Sequence, residues 1–119
     1  MGGNRMYYDL LVHVDLPEEQ RFVMALNNMA NYLAALADQP CRIVLLANGG
    51  AVSHLVGGSV LADRIRELQT RGVSFRACAN ALRNASLTAE NLLEGVEIVP
   101  AGVVEIVRLQ REGFAYIKP

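Results

Sequence analysis

Four side chains in this sequence are of types that do covalent or acid–base chemistry near neutral pH: Cys41, Cys78, His13 and His54. A thiol works as its thiolate, a nucleophile that can carry sulfur or an acyl group, and an imidazole is the usual base beside it. Cys78 closes an apolar run, Val73-Ser74-Phe75-Arg76-Ala77-Cys78, and is followed by Ala79-Asn80 rather than by more core. Cys41 opens another run, Cys41-Arg42-Ile43-Val44-Leu45-Leu46-Ala47. If the two runs are parallel strands, the thiols lie near opposite ends of the sheet, about 15–20 Å apart at roughly 3.3 Å per residue. A disulfide needs Cα atoms within about 7 Å, so an internal bridge is not expected. With no C-x-x-C pair, dithiol redox chemistry is not expected either. Cys41 reads as structural. Cys78 reads either as the reactive thiol or as a small apolar filler, since free cysteine is often buried.

The elements that must position these residues alternate between two hydrophobic periods. Tyr8–Val14 is a β-rich run. Asp15-Leu16-Pro17-Glu18 reads as a helix start, with Asp15 as N-cap and Pro17 in the first turn. Phe22, Leu26, Met29, Leu33 and Leu36 then recur at helical spacing until Gln39-Pro40. Ile43–Ala47 is continuously apolar, the pattern of a strand buried on both faces. A helix over 59–71 carries Leu61, Ile65 and Leu68 inward, with Gly72 as its C′ residue. After the Val73–Cys78 strand, a short helix is predicted over Ser86–Leu93, capped by Ser86 or Thr88. Val96–Val99 is a fourth strand, Val103–Arg111 a last helix and Phe114–Lys118 a final strand. The order βαβαβαβαβ, with short connections, predicts an α/β fold: a three-layer α/β/α sandwich around a five-stranded, mainly parallel sheet. One domain over residues 6–119 is expected, behind a flexible tail over residues 1–5.

In such a sheet, ligands bind outside the carboxyl ends of the strands. The rim then holds His13 and Asp15, Asn48-Gly49-Gly50, Cys78-Ala79-Asn80, and Pro100-Ala101-Gly102. Cys78 is its only strong nucleophile. Asn48, Gly49, Gly50, His54 and Asn80 are candidate pocket residues around it. The Asn48-Gly49-Gly50 turn can offer backbone amides to an anion, but it lacks any phosphate-loop motif. His54 can approach the rim and make a Cys–His pair, or can be an ordinary hydrogen-bonded loop histidine. Arg76, on the same strand face as Cys78, needs a carboxylate partner if buried, or it can assist an anionic sulfur. No zinc-like ligand spacing occurs, and no metal or cofactor is expected.

Composition narrows the setting. The chain has 119 residues, 52% hydrophobic and 19% charged, with a net charge of −1. No basic footprint for nucleic acid or an anionic membrane is present. No run reaches the roughly 20 apolar residues of a membrane span, and the N-terminus lacks a signal-peptide core, so a cytoplasmic location is expected. The last helix carries Val103, Val104, Ile106, Val107 and Leu109, apolar nearly all round. It is either wedged in the core or part of a subunit interface.

Three segments also carry a family pattern: Val73–Leu82 with its Cys78-Ala79-Asn80-Ala81-Leu82, Val96–Val103 with Val99-Pro100-Ala101-Gly102-Val103, and Leu109–Pro119. With the 27–33 helix and the 45–50 turn, they resemble the DsrE/DsrF-like family of intracellular sulfur-oxidation proteins, from Tyr7 onward. The resemblance implies a YchN-like fold and homo-oligomers, trimers or hexamers. It also implies that Cys78 accepts sulfur as a persulfide and passes it between a donor and an acceptor protein. The other reading is a non-catalytic oligomer in which Cys78 only lines a pocket for a small ligand or partner.

Overall fold

A computed structural model describes residues 7–119; the tail over residues 1–5 lies outside the described residues. Five strands form one sheet: β1 (Leu10–Val14), β2 (Ile43–Ala47), β3 (Ser74–Cys78), β4 (Glu97–Val99) and β5 (Ala115–Ile117). Their order is β4-β3-β2-β1-β5, and every pairing is parallel. The central strands β1 and β2 are buried at all five positions, as their unbroken apolar runs require.

Four helices cover the sheet: α1 (Glu19–Leu36), α2 (Ala62–Thr70), α3 (Ala79–Asn84) and α4 (Gly102–Arg111). Phe22, Leu26 and Met29 of α1, Ile65 and Leu68 of α2, and Leu82 of α3 pack with Val12, Leu45 and Phe75 on one face. Leu109 and Ile106 of α4 pack with Leu11, Val44 and Leu46 on the other. Three steps to one side, each with its helix on the same face, carry the chain from β1 to β4. The last connection must then cross back over the opposite face to reach β5 beside β1, as right-handed crossovers demand. The architecture is a three-layer sandwich with an all-parallel sheet.

Three predicted details are corrected. The helix assigned to Ser86–Leu93 is instead α3, starting directly after Cys78, followed by a 3-10 turn over Ala89–Asn91. Ser86 caps nothing, being in the left-handed region at φ 57°, whereas Thr88 and Asn91 form a reciprocal capping box around the turn. Asp15 is not the N-cap of α1, which starts after Glu18; its carboxylate pairs with Lys118 at 3.0 Å. Gly72 does end α2, at φ 95°, with Val73 N–H closing on the Leu68 carbonyl.

The amino edge of the sheet is tied by a buried acid. The Asp9 carboxylate accepts from the Arg42 backbone N–H at 2.7 Å and from Arg42 Nε at 2.8 Å. The same guanidinium lies 4.8 Å over the Phe114 ring, so one acid pins β1, β2 and the approach to β5. Asp9→Ala removes charge-assisted bonds and strands a backbone donor, and should cost about 2–3 kcal/mol of unfolding free energy. The change is read as a lower urea midpoint at unchanged slope.

Candidate functional site

The carboxyl edge is where the chemistry-bearing residues gather. Cys78 ends β3 and is the N-cap residue of α3; its side chain is 6% exposed. Its sulfur accepts a hydrogen bond from the backbone N–H of Gly102, the first residue of α4, at 3.4 Å. The adjacent helix therefore starts directly after the cysteine rather than near Ser86. The strand register sets this up: Cys78 pairs with Val99, so the Pro100-Ala101-Gly102 turn returns α4 over the end of β3.

Gly102 is there because the space of a side chain is already taken. A Cβ on it would stand 2.1 Å from Asn48 Oδ1 and 2.6 Å from Asn48 Nδ2. The Asn48 amide thus lies flat against the Gly102 backbone that donates to the Cys78 sulfur. Its Nδ2 reaches His13 Nε2 at 3.1 Å, and His13 Nδ1 meets the Tyr116 hydroxyl at 2.7 Å. An amide NH2 only donates, so Nε2 accepts, and the imidazole proton sits on Nδ1 and is given to Tyr116. Two sets of polar contacts lie along the edge, Gly102 to Cys78 and Asn48 through His13 to Tyr116, and the Asn48 amide packed against Gly102 brings them side by side.

His13 is 8% exposed, on the α4 face of β1. Burial pushes its pKa below the ordinary imidazole value, Asp15 opposes this, and Lys118 adds to it. The neutral imidazole inferred from the hydrogen bonds is the form that burial favours.

The other candidate residues go elsewhere. Gly49, at φ 50°, and Gly50 close against Asp15 and Pro17: a Cβ on Gly49 would meet the Asp15 carbonyl oxygen at 2.6 Å. These glycines serve a tight approach of β1 and β2 loops, and the Gly49–Leu55 3-10 helix follows at once. His54 lies 2.7 Å from the Pro17 carbonyl through Nε2, beside the Phe22 ring, and makes no hydrogen bond with Cys78. Asn80 is exposed on α3, where Arg83 donates to its Oδ1.

Arg76 is engaged by acids, whereas Cys78 packs into the core cluster with Phe75, Ala77 and Leu82. Arg76 pairs with Glu97 at 3.1 Å and with the buried Glu105 of α4. Arg108 also donates to Glu105, at 2.8 Å, and these bonds hold the Glu105 carboxyl below its usual range, Arg108 contributing most, against the opposing effect of burial. This is a structural ion cluster beneath α4. Cys41 and Cys78 are both free thiols, consistent with their places at opposite sheet ends.

Two participants were not singled out from sequence. Tyr116 and Lys118 enter only because β5 pairs with β1, which the chain order of strands conceals. Gly102 was placed on the rim, but not as a donor to sulfur.

An all-parallel α/β/α domain with one buried thiol on the carboxyl edge, met there by a helix-start amide, defines a class of thiol-bearing α/β proteins. The family model described as the DsrE/DsrF-like family matches residues 24–119, and the chain belongs to that family. Among solved structures, it is similar to the protein of unknown function MTH1491 from Methanobacterium thermoautotrophicum, with 38% identity and a TM-score of 0.89. That match covers 94% of this chain and 99% of the other. The YchN protein of E. coli shares the fold at 13% identity and a TM-score of 0.78, over 94% and 99% of the two chains. A conserved protein of unknown function, BT1422 from Bacteroides thetaiotaomicron, matches at 14% identity and a TM-score of 0.64, over 92% and 94%. No curated protein matches the chain. Among the described residues, no helix is long and apolar enough to cross a membrane.

Proposed function

We propose that this protein is a cytoplasmic sulfur carrier that accepts sulfur on Cys78 as a persulfide and hands it to a partner. The observation that carries the reading is the Gly102 N–H donated to Cys78 Sγ at the start of α4. An amide aimed at sulfur from a helix N-terminus is the contact an anionic sulfur uses, as thiolate before loading and as persulfide after it. Membership in the DsrE/DsrF-like family supports the same reading.

The transfer balances without an oxidant. The Cys78 thiolate attacks the outer sulfur of a donor persulfide, R–S–S–H. The donor's S–S bond breaks as the new one forms, leaving R–S⁻ and Cys78–S–S–H. Reversal onto an acceptor thiolate unloads the carrier. No base beside the thiol is needed for this step, in keeping with neither histidine bonding to Cys78.

Assembly as a homo-oligomer, a trimer or hexamer, belongs to the proposal. It is supported by the outer face of α4, where Val103, Val104 and Val107 are 68%, 64% and 52% exposed. The experiment is intact-mass measurement after incubation with a low-molecular-weight persulfide donor. Wild type should gain one sulfur, lost on reduction, and Cys78→Ser should gain none. Equal gain by the two proteins, or no gain by wild type, would sink the reading; the latter leaves Cys78 as a pocket-lining residue.

A further inference from the structure

We infer that His13 is a positioning residue for the Cys78 site: its unprotonated Nε2 fixes which way the Asn48 amide faces, and protonation turns that amide over. The inference rests on Cys78 being the working thiol. Its ground is the row of contacts in which Asn48 Nδ2 meets Nε2 at 3.1 Å while the amide lies against Gly102, whose N–H meets the sulfur at 3.4 Å.

With His13 neutral and its proton on Nδ1, Nε2 accepts from the Asn48 NH2, and the Oδ1 of that amide is the polar atom nearer the Gly102 backbone. An imidazolium has no acceptor left. A proton on Nε2 then faces the Asn48 NH2, donor against donor, in a buried place where an unmade hydrogen bond is costly. Rotation of the amide by half a turn resolves the conflict. Oδ1 then accepts from the ring, and the NH2 group swings to the Gly102 side. The Asn48 atom nearest Gly102 changes from an acceptor to a donor, while a positive charge appears on the next side chain, His13. Both changes favour an anionic sulfur. The proton on His13 and the charge on Cys78 are therefore linked, and linkage is reciprocal.

The surrounding charges leave His13 free to act. From its own strand it faces Asp15, and from β5 it faces Lys118, but these two pair with each other at 3.0 Å. Tyr116 Oη accepts from Nδ1 in either protonation state. On α4, the buried acid Glu105 is held by Arg76 and Arg108. From β2, the side chain at the ring is Asn48 itself, with Leu46 as the register partner of His13.

The test is made on Cys41→Ser protein, in which Cys78 is the only thiol. Alkylation by iodoacetamide is followed against pH. At pH low enough to charge His13, whose pKa burial holds below the ordinary imidazole value, the rate should exceed one-proton behaviour by about fivefold, the low end of couplings between sites. His13→Gln can still accept from Asn48 through its amide oxygen but never charges, so its profile should follow one proton. In parallel, the His13 imidazole proton signal, assigned with His54→Gln, and the Asn48 side-chain NH2 signals are followed by NMR against pH, and the Asn48 signals should shift at the His13 midpoint.

One-proton alkylation in both proteins, or Asn48 amide signals indifferent to the His13 titration, overturns the proposal. If His13→Gln does not fold, the NMR arm on unmutated His13 decides alone. Persulfide loading is scored separately. Loading without coupling removes only the role of His13, and coupling without loading removes only the sulfur-carrier reading.

Discussion

Gly102→Ala should slow sulfur loading of Cys78 by between about tenfold and a hundredfold, the penalty for misplacing reacting groups by roughly an ångström. The substitution is mild by every local measure. Gly102 opens α4, and alanine is the better helix former there by up to about 1 kcal/mol. The damage comes from the third dimension. The new methyl would stand 2.1 Å from Asn48 Oδ1, a separation that cannot persist. Either the amide leaves its place between His13 and Gly102, or the start of α4 lifts from the sulfur. The first outcome strands the His13 nitrogen, and the second lengthens the 3.4 Å contact to Cys78.

Asn48→Ala separates the two outcomes. It makes room for the methyl, so the double variant should be more stable than the sum of the single effects predicts, by about 0.5–3 kcal/mol, as for residues in direct contact. Additive effects on the unfolding midpoint would show that Asn48 and Gly102 do not meet. Unchanged loading in Gly102→Ala would show that the row does not govern the thiol.

That expectation also marks where sequence reading ran out. Strand β2 was legible because burial on both faces leaves no room for alternation: Ile43–Ala47 is apolar at every position, and all five are buried. Helix α1 was legible because Phe22, Leu26 and Met29 fall on one stripe, and that stripe is what packs. Helix α3 was missed for a reason of length. Ala79–Asn84 is six residues, less than two turns, and too short for periodicity to register. Its alanines and Leu82 were the only local signal.

Cys78 was reachable because a strand end is a local property. The row that surrounds it is not. Asn48, His13, Gly102 and Tyr116 come from four separate connections or strands, and only the sheet register and the return of β5 beside β1 bring them together. Nor does the sequence reveal that the glycines of the Asn48-Gly49-Gly50 turn face Asp15 and Pro17, while the asparagine alone serves the rim.

The second large effect concerns assembly. Helix α4 spends only one side on the sheet, where Glu105 and Leu109 are buried beside the closely packed Gly102. Its outer side sets Val103, Val104 and Val107 in water, beside Arg108. A helix that is apolar on a second side gains nothing from it in a monomer, whereas in an oligomer each covered valine contributes on the order of 1–2 kcal/mol. Val104→Glu together with Val107→Glu should therefore reduce the proposed assembly to a species of 13.0 kDa in sedimentation velocity. The fold should survive, since changes at exposed positions stay within about 0.5 kcal/mol; circular dichroism checks that. Because Gly102 and Val103 are adjacent, the same helix start that donates to sulfur would rest on a neighbouring copy. Dissociation should then loosen the Gly102–Cys78 contact and slow loading in the monomer. An oligomer unchanged by both glutamates would place the interface elsewhere on the surface. A wild type that sediments as a monomer would remove the oligomer from the proposal and leave the α4 valines as an apolar patch of the single chain.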